Sequence, residues 1–256
     1  MHSLVSVARG ARWRGSSYRR TCWVMALVGV AAIVGTPSAL ASAHAAGAGA
    51  AAIPSAFVRH VTNPWFPLKP GTTLVYRGSK DGKPGTDMFT VLHQTKMISG
   101  VRCTVVLDIL VLNGSVAERT LDYYAQDRTG RVWYFGEKTA EFDARGRVTS
   151  REGSWMDGRN GARRGTIMPA HPRVGQSGRQ EFLPGHAEDH FKVLSLSAHV
   201  TVPFGSFSGA LRTKETTPLE PGVIDNKFYV KRIGEVEEVT VKGPLELMKL
   251  VQVILP

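Results

Sequence analysis

Cysteine is nearly absent, and the two residues present, Cys22 and Cys103, fall on either side of an expected cleavage. An intramolecular disulfide is therefore excluded, and a hydrophobic core must hold the fold, for which about 200 residues suffice. Cys103 sits in Val101-Arg-Cys-Thr-Val-Val106, a strand-like setting in which a buried, inert thiol is expected. Acids are missing from residues 1–45, which carry five arginines. Long apolar runs are missing too: Val24 to Gly35 spans about 12 residues where a membrane-crossing helix needs roughly 20. No segment has the periodicity of a long amphipathic helix, no repeat of fixed period is found, and no Lys/Arg block is interleaved with aromatics. These absences exclude a nucleic-acid surface and a stable transmembrane segment after cleavage.

What the leader does contain is a secretory signal in three ordered parts. Arg9, Arg12, Arg14, Arg19 and Arg20 supply the charge and Val24 to Gly35 the apolar core. Thr36 to Ala45 then supplies the small residues that a signal peptidase requires, with cleavage after Ala41, Ala43 or Ala45. Cys22 precedes the apolar core, whereas a lipoprotein cysteine follows it. Arg19-Arg20 is a weak echo of a twin-arginine signal. The expectation is a signal peptide over 1–45, a flexible Ala/Gly-rich segment over 46–56, and one β-rich domain over 57–256. The protein is expected to be exported, to the periplasm or the exterior. Without the leader the excess of Lys and Arg over acids falls from 11 to 6, an ordinary charge for a soluble domain.

From Gly71 onward the pattern is strand, turn, strand. Thr72–Tyr76 and Met88–Leu92 flank Asp81-Gly-Lys-Pro-Gly85, a dense set of turn formers. Val105–Leu112 is apolar on both faces except at Asp108, and Asn113-Gly114 then forms the strongest short hairpin signal in the chain. Short segments continue through 131–136, 191–196, 198–202, 210–215, 227–230, 235–241 and 245–253. The fold class expected is all-β, an antiparallel meander forming an open barrel or sandwich. Asn63-Pro-Trp-Phe-Pro-Leu-Lys-Pro70 is expected as an extended cover over an edge or barrel end, because its prolines remove donors and disfavour helix.

Several strings together resemble a family of exported bacterial β-rich proteins of unknown function. They are Asn63 to Thr73, Asp122-Tyr-Tyr-Ala-Gln-Asp127 with Val132-Trp-Tyr-Phe-Gly-Glu137, Met168-Pro-Ala-His-Pro172, Ala187-Glu-Asp189, and Val202 to Phe207 with Glu215 to Glu220. The resemblance spans nearly all of the mature chain and implies export and an all-β body, with no established activity. Arg232-Ile-Gly-Glu235 departs from the glycine-valine-glycine usual at that turn.

Two constellations carry candidate chemistry. His186, Glu188 and His190 alternate, so on one strand they would share a face, and His171 beside Pro172 could complete a site for Zn²⁺ or another divalent ion. H-x-E-x-H is no established metal signature, and the plain alternative is two histidines on an exposed edge. Asp189 is expected inward, paired with Arg173 or Arg179. The second constellation is aromatic: Trp133 and Phe135 on one face, with Trp155 and the strand-interrupting Asp108, as candidates for a ligand pocket in a β-barrel, against the default of core packing. Gly205-Ser-Phe-Ser-Gly209, Gly78 to Pro84 and Asp157 to Gly161 mimic a nucleophile elbow, a phosphate loop and a calcium loop, but each lacks a required residue and is expected to be a turn. The expected function is a non-enzymatic exported domain that binds an apolar or amphipathic ligand or an envelope partner. The alternative is a metal-dependent hydrolase or metal-binding protein built on His171, His186, Glu188 and His190.

Overall fold

The computed structural model describes residues 57–256; the leader, Cys22 and the Ala/Gly-rich segment lie outside the described residues. The described chain is all-β. Its strands are β1 (Thr73–Lys80), β2 (Lys83–Ile98), β3 (Val101–Leu112), β4 (Ser115–Gln126), β5 (Val132–Phe142), β6 (Val148–Ser150), β7 (Trp155–Met156) and β8 (Arg163–Met168). They continue as β9 (Ser177–Arg179), β10 (Glu181–Phe182), β11 (His190–Val202), β12 (Gly205–Thr216), β13 (Ile224–Val230), β14 (Gly234–Lys242) and β15 (Glu246–Ile254). Every pairing is antiparallel; from β1 to β5 and from β11 to β15 neighbours in the sheet are neighbours in sequence, β1 pairs β15 and so joins the two runs, and the outer pairings are β5 with β8, β8 with β10 and β11 with β9.

Closure depends on one extended segment. Ser177–Arg179 pairs with β11, and two residues further on Glu181–Phe182 pairs with β8. A single strap thus bridges the two edges and nearly closes the sheet into a barrel, which removes most exposed edge. Asn113 and Gly114 adopt φ values of 50° and 79°, the left-handed pair that a two-residue hairpin turn needs. The expected segments 191–196 and 198–202 form one long strand, β11, whose pairing with β12 shifts register three times. Gly205 to Gly209, expected as a turn, lies within β12. There the φ of 75° at Gly209 accommodates irregular pairing within the strand.

The two-residue period of the strands divides the side chains between two faces. One apolar cluster faces inward and gathers Val61, Trp65, Phe66, Leu68, Tyr124 and Tyr134. A second joins Leu74, Tyr76, Val236 and Leu250 to Val200 and Val202 of the bent β11–β12 hairpin. A third lies on the other face of β2–β5, where Cys103, Val105, Tyr123, Trp133 and Phe135 pack with Phe57 and Met156. The Pro-rich segment covers the barrel end that carries the β4–β5 and β13–β14 turns. Gln126 Oε1 accepts from the Thr62 and Asn63 amides, Asn63 Nδ2 donates to the Gly130 and Pro169 carbonyls, and the Arg232 amide donates to Pro64 O.

Candidate functional site

Parity along β4 turns Glu118, Thr120, Asp122 and Tyr124 toward the lumen. On β5 the parity changes part-way. Tyr124 pairs with Tyr134 but Tyr123 pairs with Gly136, so Phe135 is skipped in a β-bulge, and Gly136 takes a φ of 136° there. Tyr134 therefore lines the lumen before the bulge, and Glu137, Thr139 and Glu141 line it after. Across the ladder Glu118 stands opposite Glu141, Thr120 opposite Thr139 and Asp122 opposite Glu137. The threonine hydroxyls hydrogen-bond at 2.7 Å, and Tyr134 Oη donates to Asp122 at 2.6 Å.

These residues form one wall of a cavity of about 130 Å³. Among the described residues twelve carboxylates line it against a single lysine, Lys227, and no arginine. More than half of the chain's 21 acids are thus gathered in the lumen. Phe66, Phe89, Tyr124 and Tyr134 add an aromatic flank, in which the tyrosines stack at 4.9 Å and Phe66 meets Tyr124 edge-on at 5.1 Å. Lys227 Nζ lies 3.5 Å from Glu215, 3.7 Å from Glu235 and 3.6 Å from Glu238. Burial alone would lower the lysine's pKa, but the three glutamates together raise it well above its ordinary value.

Among the described residues no lysine or arginine lines the opposite wall, and Glu137 there favours its protonated form. Burial, then Glu181, Asp122, Glu118 and Asp189, push Glu137 well above the usual carboxylate range. Asp189 is raised likewise, by burial and then by Glu181 and Glu215. The charged groups that shift Asp189 are Glu181, Glu215 and Lys227, in place of the expected Arg173 or Arg179. Arg179 instead donates to His190 Nε2 at 3.2 Å and lies over the Phe182 ring.

Asp108 lines the lumen; Trp133 and Phe135 belong to the cluster on the sheet's other face. There Trp133 Nε1 donates to Asp127 at 2.9 Å. Trp155 is buried behind the wall, edge-on to Tyr134, with Nε1 donating to Glu181 at 2.7 Å. The inward ring of the Val132–Glu137 string is Tyr134, and the carboxylates of β4 and β5 complete a wall that sequence reasoning missed. The signal for it was the period-two spacing of Glu118, Thr120 and Asp122, which puts all three on one strand face with Tyr124.

The four candidate metal ligands are not drawn together. Pro184-Gly185 makes a turn through His186, where the Leu183 carbonyl accepts from the His186 and Ala187 amides, so His186, Glu188 and His190 do not share one strand face. His186 Nδ1 lies 2.6 Å from Glu152, Glu188 accepts from the Gly185 amide, and His171 is exposed. Among the described residues no group of three or more His, Cys, Asp or Glu is placed to hold a metal ion. Cys103 is fully buried, and burial, then Asp157, push its thiol up to about 12.

The fold and the lumen together define a nearly closed meander barrel with an acidic, aromatic-flanked interior. No family model and no curated protein matches the sequence. Two solved structures are similar. One is a candidate exported protein with a YmcC-like fold from Bacteroides fragilis, 14% identical, with a TM-score of 0.43 over 75% of this chain and 99% of that one. The other is a candidate lipoprotein from Parabacteroides distasonis, 10% identical, with a TM-score of 0.42 over the same shares. Among the described residues no helix is long and apolar enough to cross a membrane.

Proposed function

We propose that this chain is an exported, non-enzymatic barrel that takes a small amphipathic molecule into its lumen. The observation that carries this reading is the cavity itself, flanked by Phe66, Phe89, Tyr124 and Tyr134 on one side and by carboxylates elsewhere. Binding sites combine apolar surface with a few convergent polar groups in this way. The volume of about 130 Å³ suits a ligand near the size of benzene, which a cavity of about 150 Å³ admits, and excludes a lipid. Export, to the periplasm or the exterior, rests on the three-part leader. The dispersal of His171, His186, Glu188 and His190 gives the metal-hydrolase alternative no support.

The test is binding of benzyl alcohol, a neutral amphipathic probe, followed by saturation-transfer NMR, with mass spectrometry of small molecules released from protein purified from its native host. Ile167 lines the lumen and is half-buried, so Ile167→Trp narrows it with little disturbance elsewhere. Saturable binding that is lost in Ile167→Trp supports the reading. Absence of both a bound probe and a released molecule overturns it.

A further inference from the structure

We propose that the strap side of the barrel is a docking surface for an anionic lipid bilayer, on which exposed arginines and lysines of β8, β9 and β11 meet phosphate headgroups. This surface is separate from the lumen and does not depend on what the lumen holds.

The barrel separates its charges by side. Twelve of the 21 acids line the lumen, whereas among the described residues nineteen lysines and arginines are exposed and a single acid, Asp81, is exposed with them. The excess of six cations that remains without the leader therefore understates the outer surface, because it counts acids that a partner outside does not meet.

On the strap side the cations are grouped. Asp189 and Glu215 line the lumen, so the two-residue period turns His190 and Lys192 of β11 and Lys214 and Thr216 of β12 outward, with Ser177 and Arg179 of β9 beside them. Register sets Lys192 directly opposite Lys214, like charge facing like charge, and no acid stands among these outward residues. Among the described residues none of Arg163, Arg173, Arg179, Lys192 and Lys214 makes an ion pair. Like charges opposite one another in a ladder are destabilising, so an anion seated over Lys192 and Lys214 relieves a repulsion. Arg163 and Arg179 lie over the Phe182 ring at 5.6 and 4.3 Å from its centre, so one half-buried ring holds two guanidiniums in place. Guanidiniums are bidentate partners for phosphate oxygens.

A second observation chooses a bilayer over a dissolved polyanion. The turn from Arg173 to Gln176 is pinned to β11, where the Gly175 amide donates to the Val193 carbonyl and the Val193 amide donates to the Gln176 carbonyl. Val174 in that turn is 63% exposed, more than any other large apolar side chain among the described residues except Leu255. A bilayer surface takes up an apolar side chain and its basic neighbours together, whereas a dissolved polyanion offers Val174 nothing.

Sedimentation of the purified protein with vesicles at physiological salt, using equal parts of phosphatidylglycerol and phosphatidylcholine or phosphatidylcholine alone, tests the proposal. Saturable binding is expected on the mixed vesicles only. Arg163→Gln/Arg179→Gln/Lys192→Gln is expected to weaken it roughly tenfold or more, whereas Arg77→Gln/Arg119→Gln/Lys242→Gln, which removes the same charge from exposed sites on β1, β4 and β14, changes it less than about threefold. Lys192→Glu separates binding from folding: it places an acid opposite Lys214, so binding is expected to fall while the melting temperature holds or rises. Absence of binding to the mixed vesicles overturns the proposal. Equal loss in the two triple variants overturns it too, since binding would then follow net charge alone. Dextran sulfate bound as tightly as the vesicles, with Val174→Ser altering neither, assigns the surface to a dissolved polyanion and overturns the bilayer.

Discussion

Glu137 concentrates at one residue the conflict that the barrel sustains. It faces Asp122 across the ladder, has Glu181 near, and is raised well above the usual carboxylate range first by burial. Glu137→Gln keeps the shape and removes the charge. At pH 7 it is expected to stabilise the protein, because the unfolded chain has released the proton that the folded carboxyl favours keeping, and to change little at pH 4. Thermal melts at the two pH values check this, and a loss of stability at pH 7 refutes it. Cys103 makes a simpler case. With its thiol raised to about 12 and its side chain fully buried, it is expected to resist a thiol reagent in the native protein and to react fully after denaturation. Its burial was legible from strand context alone. The placement of Trp133 and Phe135 was half legible: the alternation puts them on one face and Tyr134 on the other, but which face is the lumen depends on the neighbouring strands.

At the scale of elements, the bulge in β5 decides which residues the ligand would meet. Strict alternation from Tyr134 would send Glu137, Thr139 and Glu141 to the outer face; skipping Phe135 returns them to the lumen. No local sequence pattern announces such a shift, because a bulge is a property of two strands in register. Gly136 permits it twice over, by its φ of 136° and because a Cβ there would sit on the Trp155 carbonyl oxygen of β7. Gly136→Ala is therefore expected to cost roughly 3 kcal/mol or more, strain and overpacking together. Gly82→Ala is the control. Its φ is 71° but nothing lies within 4 Å of the added Cβ, so about 1 kcal/mol is expected. Chemical denaturation of the two variants measures the difference, and equal losses would refute the role given to the β7 contact. The hairpins at Asp81-Gly82 and Asn113-Gly114 were legible because their turn chemistry is local. The Pro184-Gly185 turn was equally visible, yet the alternation of His186, Glu188 and His190 was read straight across it.

For the whole molecule, the meander was legible from strand rhythm, whereas the near-closure was not, since β9 and β10 have three and two residues and leave no periodic trace. Near-closure matters because it confines a dense set of carboxylates in one interior, and that confinement sets the pH response. Three carboxyl groups have raised values: Glu137 and Asp189, which line the lumen, and Asp225, buried outside its lining and pushed up to about 6 by burial and then Glu238. Between the ordinary carboxylate range near 4 and their folded values, the native state holds protons that the unfolded chain has released. Their contribution is fully present below about pH 4 and is lost as pH rises; for Asp225 most of the loss falls between 3.8 and about 6. Asp127 opposes this: burial raises it, but bonds from Thr129, Trp133 and the Arg131 amide lower it overall, so its contribution is present above the ordinary value and is lost in more acid solution. Lys227, raised, keeps its contribution until pH exceeds the ordinary lysine range. Between pH 5 and 8 the raised carboxylates therefore dominate, and stability falls with rising pH, opposite to a protein held by exposed ion pairs. Calorimetry of the ligand-free protein is expected to show a melting temperature several degrees higher at pH 5 than at pH 8. At pH 8 the double variant Glu137→Gln/Asp189→Asn should recover much of the difference. A melting temperature that rises from pH 5 to 8 would mean that the lumen's charges are already compensated within the protein.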